Sequence, residues 1–269
     1  MKKKPLPVPQ SPSVVFTDTH CHLDMSDYAD DLDAVIRLAH ESHISTIITI
    51  GIDLQSSARA IELAQAHDRI YATVGIHPHE AKTATKETLD KLNVLAANPK
   101  VVGYGEIGLD YAKAYAPVDI QKTACRAQLQ LAKALNLPVV IHDRDAHEDI
   151  LTLLKEHAPF PAGGVMHCFS GDWQFAEEIL KLGFYVSIPG IVTFKNATTL
   201  QQVARQVPLE RLVIETDGPF LAPVPYRGKR NTPSLLLYTA EKIAELRDIP
   251  LTEVATATTV NAKNLFKLP

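Results

Sequence analysis

Two histidines one residue apart close the segment Thr17–His22, TDTHCH, directly after the apolar run VVF. On a β-strand successive side chains face opposite sides, so His20 and His22 share a face and Cys21 turns to the other. Two neutral imidazoles on one face can hold one metal ion. An isolated His-x-His is common in proteins that bind no metal, so the pair gains weight only from what accompanies it. Further apolar runs end in His77 and His79 (GIHPH), in Glu106 and Asp110 (GEIGLD), in His142, Asp143 and Arg144 (VVIHDR), in His167 (VMHCF), and in Glu215 and Asp217 (VIETD). Imidazole and carboxylate donors of this kind suit Zn²⁺, Mn²⁺ and similar ions. His40, His43, His67, His147 and His157 fall in or beside amphipathic segments instead, where a solvated surface position is expected.

The elements that would position these donors repeat. Eight short β-branched runs, SVVFTDT, STIITIGI, IYATVGI, KVVGYGEIG, LPVVIHD, GGVMHCF, GFYVSIPG and RLVIETD, alternate with segments whose apolar residues recur at three and four, among them HEDILTLLKEH and DIQKTACRAQLQLAKALN. Two more helical patterns, TPSLLLYTAEKIAELR and LTEVATATTVNAKNLF, follow the eighth run. Eightfold alternation with near-continuously apolar strands predicts an α/β fold, a single-domain (β/α)₈ TIM barrel over residues 14–269. A doubly wound open sheet is the runner-up, but the chain lacks any Gly-rich phosphate loop after its first strand. In a barrel, chemistry sits at the C-terminal ends of the strands, where the donors above fall.

The first 13 residues, MKKKPLPVPQSPS, combine lysines and prolines with too little apolar surface to pack, and are expected to form a disordered leader. They lack the apolar core of a signal peptide, and no run reaches the roughly 18 to 20 apolar residues that span a bilayer. With 46% hydrophobic and 22% charged residues among 269, the chain has a globular composition. A net charge of −4 disfavours coating of a polyanion and leaves local contact with nucleic acid open. Cys21, Cys125 and Cys168 are odd in number, widely spaced and without a Cys-x-x-Cys, which points to a reducing, cytoplasmic setting without disulfides. Nothing suggests a membrane or an obligate protein partner.

The blocks TDTHCHLD, GIHPHEA, GEIGLDY, PVVIHDRDA, HCFSG, ETDGPFLAPVPYRGKRN and TTVNAKNLF, in this order from about residue 14 to the end, resemble the TatD family of metal-dependent deoxyribonucleases within the amidohydrolase superfamily. The resemblance implies a TIM barrel and divalent-metal-dependent hydrolysis of DNA phosphodiester bonds, with DNA taken exonucleolytically as single strands or at 3′ ends. It implies His20, His22, Glu106, His142, His167 and Asp217 as ligands, all intact here. Two divalent ions (Zn, Mn, Mg, Co or Ni) would then be held, one by His20, His22 and Asp217, the other by His142 and His167, with Glu106 bridging and Asp217 doubling as general base. The carbamylated lysine that bridges metals in other barrel amidohydrolases has no counterpart at a strand end, since Lys113 and Lys195 lie in loops. Two readings compete: a barrel hydrolase of a non-nucleic-acid ester or amide, and a non-catalytic metal-binding module, which the complete ligand set disfavours.

Substrate contacts follow more loosely. His77 has no neighbouring ligand at the His20–His22 spacing and is assigned to the scissile phosphate or leaving group, with capping of the following helix as its alternative. Arg144 is two residues beyond His142 and can bind phosphate bidentately, or can pair with Asp110 or Asp145. Arg227, Lys229 and Arg230, in PYRGKRN beyond the eighth strand, could follow a nucleic-acid backbone, with Tyr226 stacking on a base. Strict alternation makes Asp18 a partner for a ligand imidazole and turns Cys21 and Cys168 into the core. Gly218 stands where the family usually has serine, removing a hydroxyl beside Asp217.

Overall fold

The computed structural model describes residues 14–269; the expected leader lies outside them. Eight parallel strands pair in sequence order: β1 (Phe16–Cys21), β2 (Ile44–Ile50), β3 (Ile70–Val74), β4 (Val101–Asp110), β5 (Val139–Arg144), β6 (Gly164–Met166), β7 (Tyr185–Ile188) and β8 (Leu212–Ile214). The ring closes where Asp217 N–H donates to His20 O at 2.9 Å and His22 N–H to Gly218 O at 2.7 Å. Helices α1 (Leu32–Glu41), α2 (Leu54–Ala66), α3 (Lys86–Leu95), α4 (Val118–Ala134), α5 (His147–His157), α6 (Trp173–Lys181) and α7 (Thr198–Gln206) connect the strands, and α8 (Leu236–Arg247) and α9 (Leu251–Phe266) follow β8. This is the expected single-domain (β/α)₈ barrel.

The helices begin where the sequence supplies caps. Asp53 accepts from Ser56 N–H at 2.6 Å at the start of α2, and Asp172 from Phe175 N–H at 2.9 Å at the start of α6. Each buries a stripe at helical spacing, as α5 does with Ile150, Leu153 and Leu154.

Inside the barrel, Ile48, Ile50, Val102, Val140, Val165, Tyr185 and Val213 form a second, smaller core, which Ala262, Leu265 and Phe266 of α9 close at the bottom. Val140, Val165 and Val213 stand two residues before His142, His167 and Glu215. The same alternation that aims the valines into the barrel therefore aims the donors into its mouth. Strands β4 and β5 approach closely enough that a Cβ at Gly108, where φ is +148°, would run into the His142 carbonyl. That approach carries Glu106 on β4 to within reach of His142 on β5.

Candidate metal centre

The donors named from the sequence converge around one carboxylate. Glu106 Oε2 lies 3.5 Å from His20 Nε2 and 3.8 Å from His22 Nε2, while Asp217 Oδ1 lies 3.8 and 3.4 Å from the same two nitrogens. Glu106 Oε1 faces the other way, 2.6 Å from His142 Nδ1 and 3.1 Å from His167 Nε2. His20 Nε2 and His22 Nε2 are 3.4 Å apart. Donors about 2.0 to 2.1 Å from a tetrahedral ion are themselves separated by about 3.3 to 3.4 Å, so the His20, His22 and Asp217 spacings fit a cation. The groups that can gather on an ion include His20, His22 and Asp217, and His77, Glu106 and His142.

Ring orientation is set by neighbours that only the fold brings near. His142 Nε2 lies 3.2 Å from Asp110 Oδ2, which is also 2.9 Å from His79 Nε2. His167 Nδ1 lies 3.0 Å from Glu215 Oε1, and Glu215 in turn accepts from Cys168 N–H at 2.7 Å and Ser187 Oγ–H at 2.6 Å. Carboxylates behind ligating histidines fix the tautomer and raise basicity. Among the described residues neither His20 Nδ1 nor His22 Nδ1 has a hydrogen-bond partner, and the His20 ring stacks on His167, centroids 3.5 Å apart.

Burial dominates the electrostatics. It holds His20 at about 3, helped by His167, so that ring is neutral and ready to ligate. Burial also pulls His142 down, but Asp110 and Glu106 outweigh it and raise the ring to about 8; His167 is raised more strongly by Glu215 and Glu106. Glu106 is held well below the carboxylate range, because His167, His77 and His142 together overcome its burial. Without cations, then, protons on imidazoles balance the charge of Glu106.

The sequence model of the TatD related DNase family matches residues 17–267. The chain belongs to the TatD family. It is 47% identical over 251 residues to YabD of Bacillus subtilis strain 168, an uncharacterized metal-dependent hydrolase, covering 93% of this chain and 98% of that protein. It is 35% identical to the 3′-5′ ssDNA/RNA exonuclease TatD of Erwinia tasmaniensis, covering 93% and 99%. The crystal structure of YJJV, a TatD homologue from Escherichia coli K12, superposes with a TM-score of 0.90 at 33% identity, covering 94% and 98%. The chain is thus a TatD-family metal-dependent hydrolase acting on ester bonds.

The TatD-family centre opens into a cleft of about 660 Å³. His77 lies at its edge, with Nε2 3.5 Å from Glu106 Oε1 and 3.3 Å from His142 Nδ1. Its Nδ1 accepts the His79 backbone N–H at 3.1 Å, capping the 3₁₀ turn Pro78–Thr83. In the neutral ring that bond leaves the proton on Nε2, which can then donate into the cleft. Capping and a cleft-facing donor coexist in one ring. Arg144 is exposed and lines the cleft. Arg227, Lys229 and Arg230 are not in the lining of the cleft: the Arg227 guanidinium lies over Phe194 at 4.4 Å and Lys229 is exposed. Arg230 donates to Asp31 Oδ1 and Oδ2 at 2.8 and 2.7 Å and to Asp27 O at 2.6 Å, tying the loop after β8 to the start of α1.

Four expectations are corrected. Asp18 does not support a ligand ring: β1 is irregular between Asp18 and Cys21, alternation slips, and its carboxylate takes Thr216 N–H at 2.9 Å and meets Thr216 Oγ1 at 2.5 Å. Cys168 lies past the end of β6 with φ +44° and lines the cleft instead of the core. Tyr226 packs against Tyr238, centroids 5.7 Å apart. His147 is not a free surface residue: it lines the cleft, with Nδ1 2.5 Å from Asp143 Oδ2 and its ring stacked on Phe175. Gly218 has a local reason, since a Cβ there would lie 2.5 Å from the Tyr28 hydroxyl oxygen, which donates to Asn231 O at 2.7 Å.

Proposed function

We propose that the protein is a deoxyribonuclease that hydrolyses DNA phosphodiester bonds, removing nucleotides from the 3′ ends of single strands, with two divalent ions held between His20, His22, Glu106, His142, His167 and Asp217. The observation that carries this reading is the two-sidedness of Glu106. One oxygen faces His20 and His22, beside which Asp217 lies, and the other faces His142 and His167, so one carboxylate can serve two adjacent ions. Such a pair supplies Lewis-acid charge for a phosphoryl group and a water of lowered pKa. The name borne by the Erwinia relative supports the substrate class.

The chain's own residues then have separate tasks. Asp217, whose side chain is 12% exposed at the mouth, takes the proton of the attacking water. His77 donates its Nε2 proton to a phosphoryl or leaving oxygen. Arg144 pairs with the phosphate through its planar fork. Arg227 and Lys229 follow the strand's backbone, while Arg230, paired with Asp31, serves that task chiefly by holding their loop. Metal-reconstituted protein should be offered single-stranded DNA, duplex DNA, RNA and a small ester. Shortening of single-stranded DNA from its 3′ end, abolished by removing all metal, is expected; turnover of the small ester alone would overturn the nuclease reading.

A further inference from the structure

Two large aromatic side chains stand half in water by the cleft, Phe220 in its lining at 49% exposure and Tyr115 at 61% exposure beside His79, which lines it. Single exposed apolar side chains are ordinary on protein surfaces; the position and anchoring of these two are not. The Phe220 ring meets His22 edge-on, centroids 6.0 Å apart. Its backbone is clamped on both sides: its N–H donates to Asp217 O at 2.9 Å, and its carbonyl accepts from Asn231 Nδ2 at 2.7 Å. Asn231 is fully buried and also donates to Thr216 O at 2.8 Å. The backbone that carries the ring is therefore fixed relative to Asp217. Tyr115 meets His79 edge-on at 4.7 Å, and His79 is held by Asp110.

These contacts form one row: Phe220 against His22, His22 toward Glu106 Oε2, Glu106 Oε1 toward His77, His77 against His79 at 4.3 Å, and His79 against Tyr115. The two rings thus join this chain of contacts at its two ends, with Glu106 in its middle. A phosphodiester lying over Glu106 would carry one nucleoside toward each ring.

We propose that Phe220 and Tyr115 are stacking platforms for the two nucleobases that flank the scissile phosphate, so that the cleft recognises a dinucleotide step with unpaired bases. The proposal rests on the nuclease reading and extends it to specificity. Every base has a π-face, so such stacking tolerates sequence, whereas a base still stacked within a duplex cannot turn onto a protein ring without unpairing.

The test uses the full, metal-reconstituted chain, single-stranded oligodeoxynucleotides that are intact or carry an abasic residue at the last or the penultimate position, and bis(p-nitrophenyl) phosphate. Phe220→Ala and Tyr115→Ala should each raise KM for the intact strand by about five- to a hundredfold, the size of a lost base–aromatic stack, with the loss in KM and not in kcat. Each effect should vanish on one of the two abasic strands, a different one for each variant. Tyr115→Phe and Phe220→Trp, which keep a π-face, should restore KM, while Phe220→Leu, which keeps bulk without it, should not. Equal KM in parent and alanine variants, or equal losses on intact and abasic strands, would overturn the stacking role while leaving the nuclease reading standing. A parent that hydrolyses bis(p-nitrophenyl) phosphate and leaves every oligonucleotide intact would remove the nuclease reading, and the platforms with it.

Discussion

Replacing Asp217 by asparagine separates two tasks that one carboxylate is asked to perform. Asp217 Oδ1 lies 3.4 and 3.8 Å from His22 Nε2 and His20 Nε2, so its charge helps hold a cation there. The backbone at 217 has φ +55°, a left-handed conformation that asparagine adopts about as readily as aspartate. Its N–H to His20 O and its carbonyl to Phe220 N–H are backbone bonds that the substitution leaves alone. The fold should therefore survive, with Tm within a few degrees of the parent. Loss of general-base action costs about 10² to 10⁴ in rate, and weaker ligation adds to it. Turnover should fall at least about a hundredfold, measured on single-stranded DNA over a metal titration carried to saturation. Saturating metal should recover occupancy, read by metal analysis, but not rate. Full recovery of rate by excess metal would show that Asp217 is a ligand only and would refute its role as base.

Three further outcomes are expected. His142 is raised to about 8 and His167 more strongly in the metal-free protein, and a ligand nitrogen must be free of its proton, so metal affinity should rise with pH by about tenfold per unit for each displaced proton, and go on rising past 8 on account of His167; a metal titration giving flat affinity from pH 6 to 8 would contradict this. Burial raises Asp18 from 3.8 to about 7. Below 3.8 folded and unfolded chains both hold the proton. As pH rises from there to about 7 the unfolded chain releases it first, so stability is lost, up to about 4 kcal/mol in all. Asp18→Asn, which can accept from Thr216 N–H and donate to Thr216 Oγ1, should match the metal-free parent near pH 4 and exceed it at pH 8 in chemical denaturation; a parent that gains on the variant as pH rises would refute the assignment. Gly218→Ser should destabilise by about 1 to 3 kcal/mol, because its Cβ meets the Tyr28 hydroxyl, and Tyr28→Phe should recover part of that in the double variant; an unchanged Tm for Gly218→Ser would show that the loop yields.

What could be read in the sequence was what local periodicity controls. Alternation along a strand is covalent geometry, so His20 and His22 are bound to face one way wherever β1 lies. Parallel strands with helical crossovers send every strand's C-terminal end to the same mouth, so His142, His167, Glu106 and Asp217 could be named as neighbours before any distance was known. Alternation failed where the backbone departs from it, at the irregularity after Asp18 and at the positive φ of Cys168. Nor could it say what stands behind each donor. That Asp110 holds His142, that Glu215 meets His167, and that Arg230 pairs with Asp31, 199 positions away, depends on inter-strand register and loop paths. The contacts of Phe220 with His22 and of Tyr115 with His79 belong to the same class. Such contacts join residues whose separation along the chain exceeds any local period, and packing of the whole barrel selects them.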